Sequence, residues 1–426
     1  MSFAPHHPRF IFLFFIFIGS INALPFIATV NLSGGARAII ARDRARAQKF
    51  FAGVQPHGPN AHKLAKFRSR VTHHRGRQVT SSLGDTIHVT DTGVTYTASV
   101  GVGSPATEYT LLIDTGSSNT WVGAASDKKY VPTETSRDTE MRVSVSYGSG
   151  SFSGTEYTDR VTLSPSLVVE SQSIGVADTA QGFSGVDGIL GIGPVDLTEG
   201  TVDGSELVPT ITDNLFQQGT ISTESIGIFY QPSTIASSLF SDGELTFGGI
   251  DESKITGDVN YVPITGTSPA NKYWGIDQSI TYGSNGPSIL ASTAGIVDTG
   301  TTLVLIATDA FQKYQEATGA TLDQTTSLLT LTNSQFDNLQ SLFFNIGGVQ
   351  YELTPNAQIW PRILNTEIGG TQDKIYLIVS DLGNPSGQGL DFINGFTFLQ
   401  RFYSVYDVSN SRVGLATTHS TNAETN

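Results

Sequence analysis

One short unit occurs twice in this chain of 426 residues. Asp114 follows an apolar stretch at 109–113 and leads into Thr115, Gly116 and the hydroxyl pair Ser117 and Ser118, with Trp121 seven positions on. Asp298 follows the apolar 294–297 and leads into Thr299, Gly300, the pair Thr301 and Thr302, and apolar 303–306. Each copy is an apolar strand, a turn carrying one carboxylate, then a second apolar segment. A third Asp-Thr-Gly, at Asp91, lacks the hydroxyl pair and reads as an ordinary turn before a strand at Tyr96. The repeat extends downstream, to a glycine-ended apolar run at 188–191, closing 77 residues after Asp114, and another at 392–395, closing 97 after Asp298. Duplication of one β unit, with one Asp per copy, is the simplest account.

Composition removes most other chemistries. There is no cysteine, so disulfides, thiol nucleophiles and thiolate metal sites are excluded. The eight histidines leave residues 89–418 without any, so neither a Ser-His-Asp triad nor a His-ligated metalloprotease motif can be built there. Carboxylates and hydroxyls must carry any catalysis in that stretch.

The first 23 residues read as a signal peptide: the apolar run 10–18 follows Arg9 and gives way to Gly19, Ser20 and Ala23. Such a run is too short to span a bilayer, so a secreted product without a stable membrane anchor is expected. Residues 24–82 hold eleven Lys and Arg against the single acid Asp43, whereas 83–426 hold 12 basic against 37 acidic residues. A basic arm before an acidic body suits a removable pro-segment better than a nucleic-acid arm or a solvated tail. Its cleavage is expected between about 77 and 90. The one Asn-x-Ser/Thr acceptor, at Asn31, falls within this leader.

From residue 86 the pattern is mostly β, with strands expected at 96–102, 109–113, 141–147, 245–247, 296–297, 341–346 and 402–408. Helical pattern is confined to 208–218 and 308–318, with Thr308 as N-cap. Residues 141–155 alternate up to Tyr147, turn through Gly148, Ser149 and Gly150, and resume at Phe152, which predicts a hairpin.

From about residue 86 to the end, the chain resembles the pepsin-like aspartic proteases, and within them a secreted fungal branch. The resemblance rests on 114–122, 147–151, 187–193, 247–251, 297–302 and 406–416. It implies a bilobal acid-protease fold, with an N-terminal lobe over 83–251, a C-terminal lobe over 252–426 and the cleft between them. It departs from pepsin in lacking cysteines.

The resemblance further implies that Asp114 and Asp298 are the catalytic pair and that Thr115 and Thr299 brace the two loops beneath them. Tyr147, Gly148, Ser149 and Trp121 belong to a flap that closes over substrate. Two like carboxylates held close share one proton, pepsin being the standing example, so one can activate water while the other donates a proton. Gly116 and Gly300 permit the sharp turns, and Ser117 and Thr301 can donate to the outer carboxyl oxygens.

The expected activity is endopeptidase cleavage at acid pH, favouring large apolar side chains, with no metal or cofactor. The partners are polypeptide substrates and the chain's own pro-segment, the mature protein being a monomer that binds no nucleic acid. The alternatives are a catalytically silent binding or inhibitor protein on the same scaffold, and an acidic structural protein.

Overall fold

The computed structural model describes residues 34–52, 84–233 and 242–426. The expectations for the signal run, the acceptor at Asn31 and most of the cleavage window lie outside these residues.

Strand-forming segments alternate as half-buried strands must. In Thr107–Asp114 the inward residues are Tyr109, Leu111 and Ile113, and the strand finishes on the buried Asp114. Among the described residues, thirteen strands join one sheet, seven a second and three a small third. The large sheet has Asn260–Pro263 at one edge and Arg137–Ser146 at the other. Within it Ser225–Phe229 pairs with Asp242–Phe247 on one side and Phe402–Asp407 on the other. The two halves of the sequence are therefore joined through a continuous sheet rather than by a linker. Asp85–Asp91 also enters this sheet, against Asp242–Phe247, with Ile87 and Val89 buried.

Both copies of the repeat fold alike. Thr107–Asp114 runs parallel to Gly188–Gly191, which pairs antiparallel with Trp121–Val122. Ser288–Val297 runs parallel to Phe392–Asn394, which pairs antiparallel with Val304–Ile306. The glycines closing the two units are required by close approach: a Cβ on Gly191 would lie 2.6 Å from Asn119 O, and one on Gly395 2.3 Å from Leu303 O. The triplet at Asp91 forms a buried turn, in which Gly93 N–H donates to Asp91 Oδ1 at 2.6 Å.

One helical expectation needs correction, and one helix was not expected. The helix Thr308–Thr318 has Ala307, not Thr308, at its N-cap; the Thr308 hydroxyl donates to Asp381 Oδ1 instead, so a tertiary partner displaced the local cap. The leader, read only for its charge, contains the helix Gly35–Ala52. Its buried residues Ala36, Ile39, Ile40, Asp43, Arg46, Ala47 and Phe50 recur every three or four positions, as one helix face does.

Candidate active site

Each catalytic-type Asp stands where a central strand ends and the chain turns back on itself. Gly116 N–H donates to Asp114 Oδ1 at 3.0 Å, and the Ser117 hydroxyl to Asp114 Oδ2 at 2.5 Å. The second copy matches it atom for atom: Gly300 N–H donates to Asp298 Oδ1 at 3.3 Å, and the Thr301 hydroxyl to Asp298 Oδ2 at 2.6 Å. Both aspartates are fully buried. Beneath them Thr115 N–H donates to Thr299 Oγ1 and Thr299 N–H to Thr115 Oγ1, both at 3.0 Å, across 184 positions of sequence. The expected cross-brace is thus a reciprocal pair of backbone-to-hydroxyl bonds.

The glycines of the two turns face the opposite carboxylate. A Cβ on Gly116 would lie 2.6 Å from Asp298 Oδ1, and one on Gly300 2.6 Å from Asp114 Oδ1. Any larger residue would push the two copies apart.

A leader side chain occupies the space between the carboxylates. Arg46 Nη2 donates to Oδ1 of both Asp114 and Asp298, the latter at 3.0 Å, and Arg46 Nε donates to Asp298 Oδ2 at 2.7 Å. One atom therefore lies within hydrogen-bond reach of both carboxylates. Burial alone would lower the guanidinium's pKa, but the two carboxylates outweigh it and hold it above its ordinary value. The Phe50 ring lies 5.0 Å from the Arg46 guanidinium and packs against Tyr273 with ring centroids 4.6 Å apart.

The hairpin of Arg137–Ser146 and Ser151–Thr162 covers this arrangement. Tyr147 and Trp121 share one apolar cluster, their ring centroids 6.4 Å apart, and Trp121 stacks on Phe152 at 4.2 Å. Burial, followed by the charge of Asp114, pushes the Tyr147 hydroxyl well above its ordinary pKa, so it stays protonated. Gly148, at φ 71°, packs on the leader: a Cβ there would meet Ala45 O at 2.6 Å. Ser149 is exposed and donates its N–H to Tyr147 O at 2.7 Å, inside the turn. A cavity of about 190 Å³ beside the pair is lined by Val145, Tyr147, Leu197, Ser117 and Tyr273.

A family model for eukaryotic aspartyl proteases matches residues 95–418. The chain belongs to the eukaryotic aspartyl protease family. Among aspartyl proteases it is 64% identical to polyporopepsin of Irpex lacteus over 335 residues, covering 78% of this chain and 97% of that protein. It is 31% identical to gastricsin of Cavia porcellus and 31% identical to pepsin A of Sus scrofa, over 76% and 75% of the chain and 80% of each relative. The crystal structure of the aspartic proteinase from Irpex lacteus superimposes with a TM-score of 0.77 at 62% identity, over 80% of this chain and all of that one. The expected mostly β, two-lobed pepsin-like fold is thereby shown, and the chain is an aspartic endopeptidase.

The turn pair and the hairpin are legible in the sequence, whereas the brace is implied only by the family resemblance. Arg46 was not singled out there. Its signal was the helical spacing of the leader's apolar residues, which set Arg46 on the buried face; charge counting alone could not distinguish it from its ten basic neighbours.

Proposed function

We propose that this aspartic endopeptidase hydrolyses internal peptide bonds at acid pH, with a water held between Asp114 and Asp298. One carboxylate takes a proton from the water as it attacks the scissile carbonyl, and the other, protonated, donates to the carbonyl oxygen. Collapse of the tetrahedral intermediate then passes a proton to the leaving amine. Ser117 and Thr301 hold the outer oxygens, leaving the inner ones free for water and substrate. The observation that carries this is the single Arg46 nitrogen bonded to Oδ1 of both aspartates, a position that a water could take once the leader has gone. Peptide would lie extended beneath the flap, adding backbone hydrogen bonds as a strand does, and Val145, Tyr147, Leu197 and Tyr273 favour large apolar side chains.

We further propose that residues 1–23 are a secretory signal and that 24–82 form an inhibitory pro-segment. The lobes are assigned to 83–251 and 252–426, and the mature enzyme is taken as a secreted monomer. Because Asp85–Asp91 is an integral strand of the large sheet, activation cleavage is assigned before Asp85, within the window read from the sequence. Acid would release the leader by reducing the negative charge of the body that attracts the basic arm. The test is casein digestion by the activated protein at about pH 4, beside its Asp298→Asn variant. Undiminished digestion by the variant would overturn the proposed mechanism. Equal processing of the precursor at about pH 7 and pH 4 would overturn acid release.

A further inference from the structure

The leader carries one acid among its eleven basic residues, and that acid is fully buried against the enzyme. Asp43 lies one helical turn before Arg46, on the same face of Gly35–Ala52. Its Oδ2 accepts two consecutive backbone N–H groups, from Thr302 at 3.1 Å and Leu303 at 2.9 Å. These belong to the loop between Asp298 and the strand Val304–Ile306, Thr302 being the second member of that copy's hydroxyl pair and Leu303 the residue after it. Arg42 steadies the contact from both sides: its Nε lies 3.5 Å from Asp43 Oδ1, and its Nη2 donates to Thr302 Oγ1, whose hydroxyl donates in turn to Val94 O.

We infer that the N–H pair of Thr302 and Leu303 is a carboxyl-binding site for the leader, and that Asp43 is the positioning residue whose seating there sets the helix register so that Arg46 reaches both catalytic carboxylates. The inference rests on the reading that the leader is inhibitory. Along its sides a helix offers no free backbone N–H, so apart from the first-turn bond from Ala36 N–H to Ile368 O at 2.9 Å, side chains must fix its slide and rotation in the cleft. Arg46 is long and flexible; by itself it tolerates a helix displaced along its axis. The short Asp43 side chain gripping two rigid amides does not. With the helix docked, Thr302 and Leu303 are buried, so removal of the acceptor strands both donors away from water.

The two anchors also differ in their response to acid. Arg46 needs ionised acceptors. Asp43 needs only to offer an acceptor oxygen, which a protonated carboxyl still has. Burial pushes the Asp43 carboxyl above its ordinary pKa, against the opposing charges of Arg42 and Arg46 and the two N–H donors. Its seating is therefore favoured as pH falls.

The test uses the full-length precursor, with appearance of peptidase activity followed at about pH 6.5. Asp43→Ala should speed activation at least fivefold. Asp43→Asn, whose amide oxygen still accepts, should stay closer to the parent than to the alanine variant. A smaller effect of alanine, or asparagine as fast as alanine, overturns the anchor. If Asp43→Ala is not secreted, amide hydrogen exchange of Thr302 and Leu303 decides: protection should fall at least tenfold when the leader is removed, and unchanged protection overturns the site. A parent precursor already as active as the mature enzyme overturns the inhibitory reading and the anchor with it. A latent parent with an unresponsive Asp43→Ala overturns the anchor alone.

Discussion

Replacing Glu156 by glutamine should remove one source of instability toward neutral pH. Glu156 lies on the hairpin strand Ser151–Thr162 and is 1% exposed. Its Oε1 accepts the Ser173 hydroxyl at 2.6 Å, while Oε2 is buried without a partner among the described residues. Burial pushes the carboxyl up to about 7 from an ordinary 4.5, with Ser173 opposing. A group whose folded value lies above its unfolded one contributes stability that is complete below the unfolded value and is lost as pH rises through the folded one. The contribution is therefore full below about pH 4.5 and gone above about pH 7. At about 1.4 kcal/mol per pH unit, that interval amounts to about 3 kcal/mol. Glutamine imitates the protonated acid, so Glu156→Gln and its parent should melt together near pH 4. Near pH 8 the variant should be the more stable by about 3 kcal/mol. Scanning calorimetry of both proteins in an Asp298→Asn background, which prevents self-digestion, reads the difference. Equal differences at the two pH values would refute the reasoning, since a purely structural effect of the substitution does not vary with proton concentration.

Asp114→Asn should lower the rate of peptide hydrolysis by 10²-fold or more, on the order expected for a lost acid-base group, with the fold intact by circular dichroism. Gly300→Ala should abolish activity in a secreted protein, because the new Cβ would lie 2.6 Å from Asp114 Oδ1; normal turnover would show that the two copies can separate at no cost. Thr115→Val leaves Thr299 N–H buried without its acceptor and should destabilise the mature enzyme by about 1–3 kcal/mol in thermal unfolding. Arg46→Ala should produce a precursor that cleaves a fluorogenic peptide at about pH 6.5 without prior acid treatment, and a precursor that stays latent would show that Arg46 is not what blocks the pair.

The contacts at Arg46 show how little local information a long-range ion pair requires. A guanidinium reaches both carboxylates because seven buried positions turn one face of a helix to the cleft. The neighbouring Arg44 lies on another side and meets Asp381 instead, at 2.8 Å to its backbone oxygen and 3.0 Å to its carboxylate. Basic residues with the same charge thus acquire different tasks from their angular position alone.

What the sequence determined by itself was everything governed by near neighbours. Alternation named the strands, glycine after Asp-Thr named the turns, and hydroxyls three positions from each Asp named the groups that hold its outer oxygen. Repetition of that local code predicted two similar units, since identical short-range preferences fold identically. Tertiary structure alone decided which atoms of the two units meet: Thr115 and Thr299 bond across 184 positions, and each glycine makes room for the other copy's carboxylate. It also decided that Glu156 would be cut off from water, that Thr308 would trade its cap for Asp381, and that Asp43 would face the enzyme. Hydrogen bonds and sterics within a turn act over a few residues and leave a readable pattern. Burial and distant pairing depend on how whole sheets and helices pack, and no short stretch of chain records that.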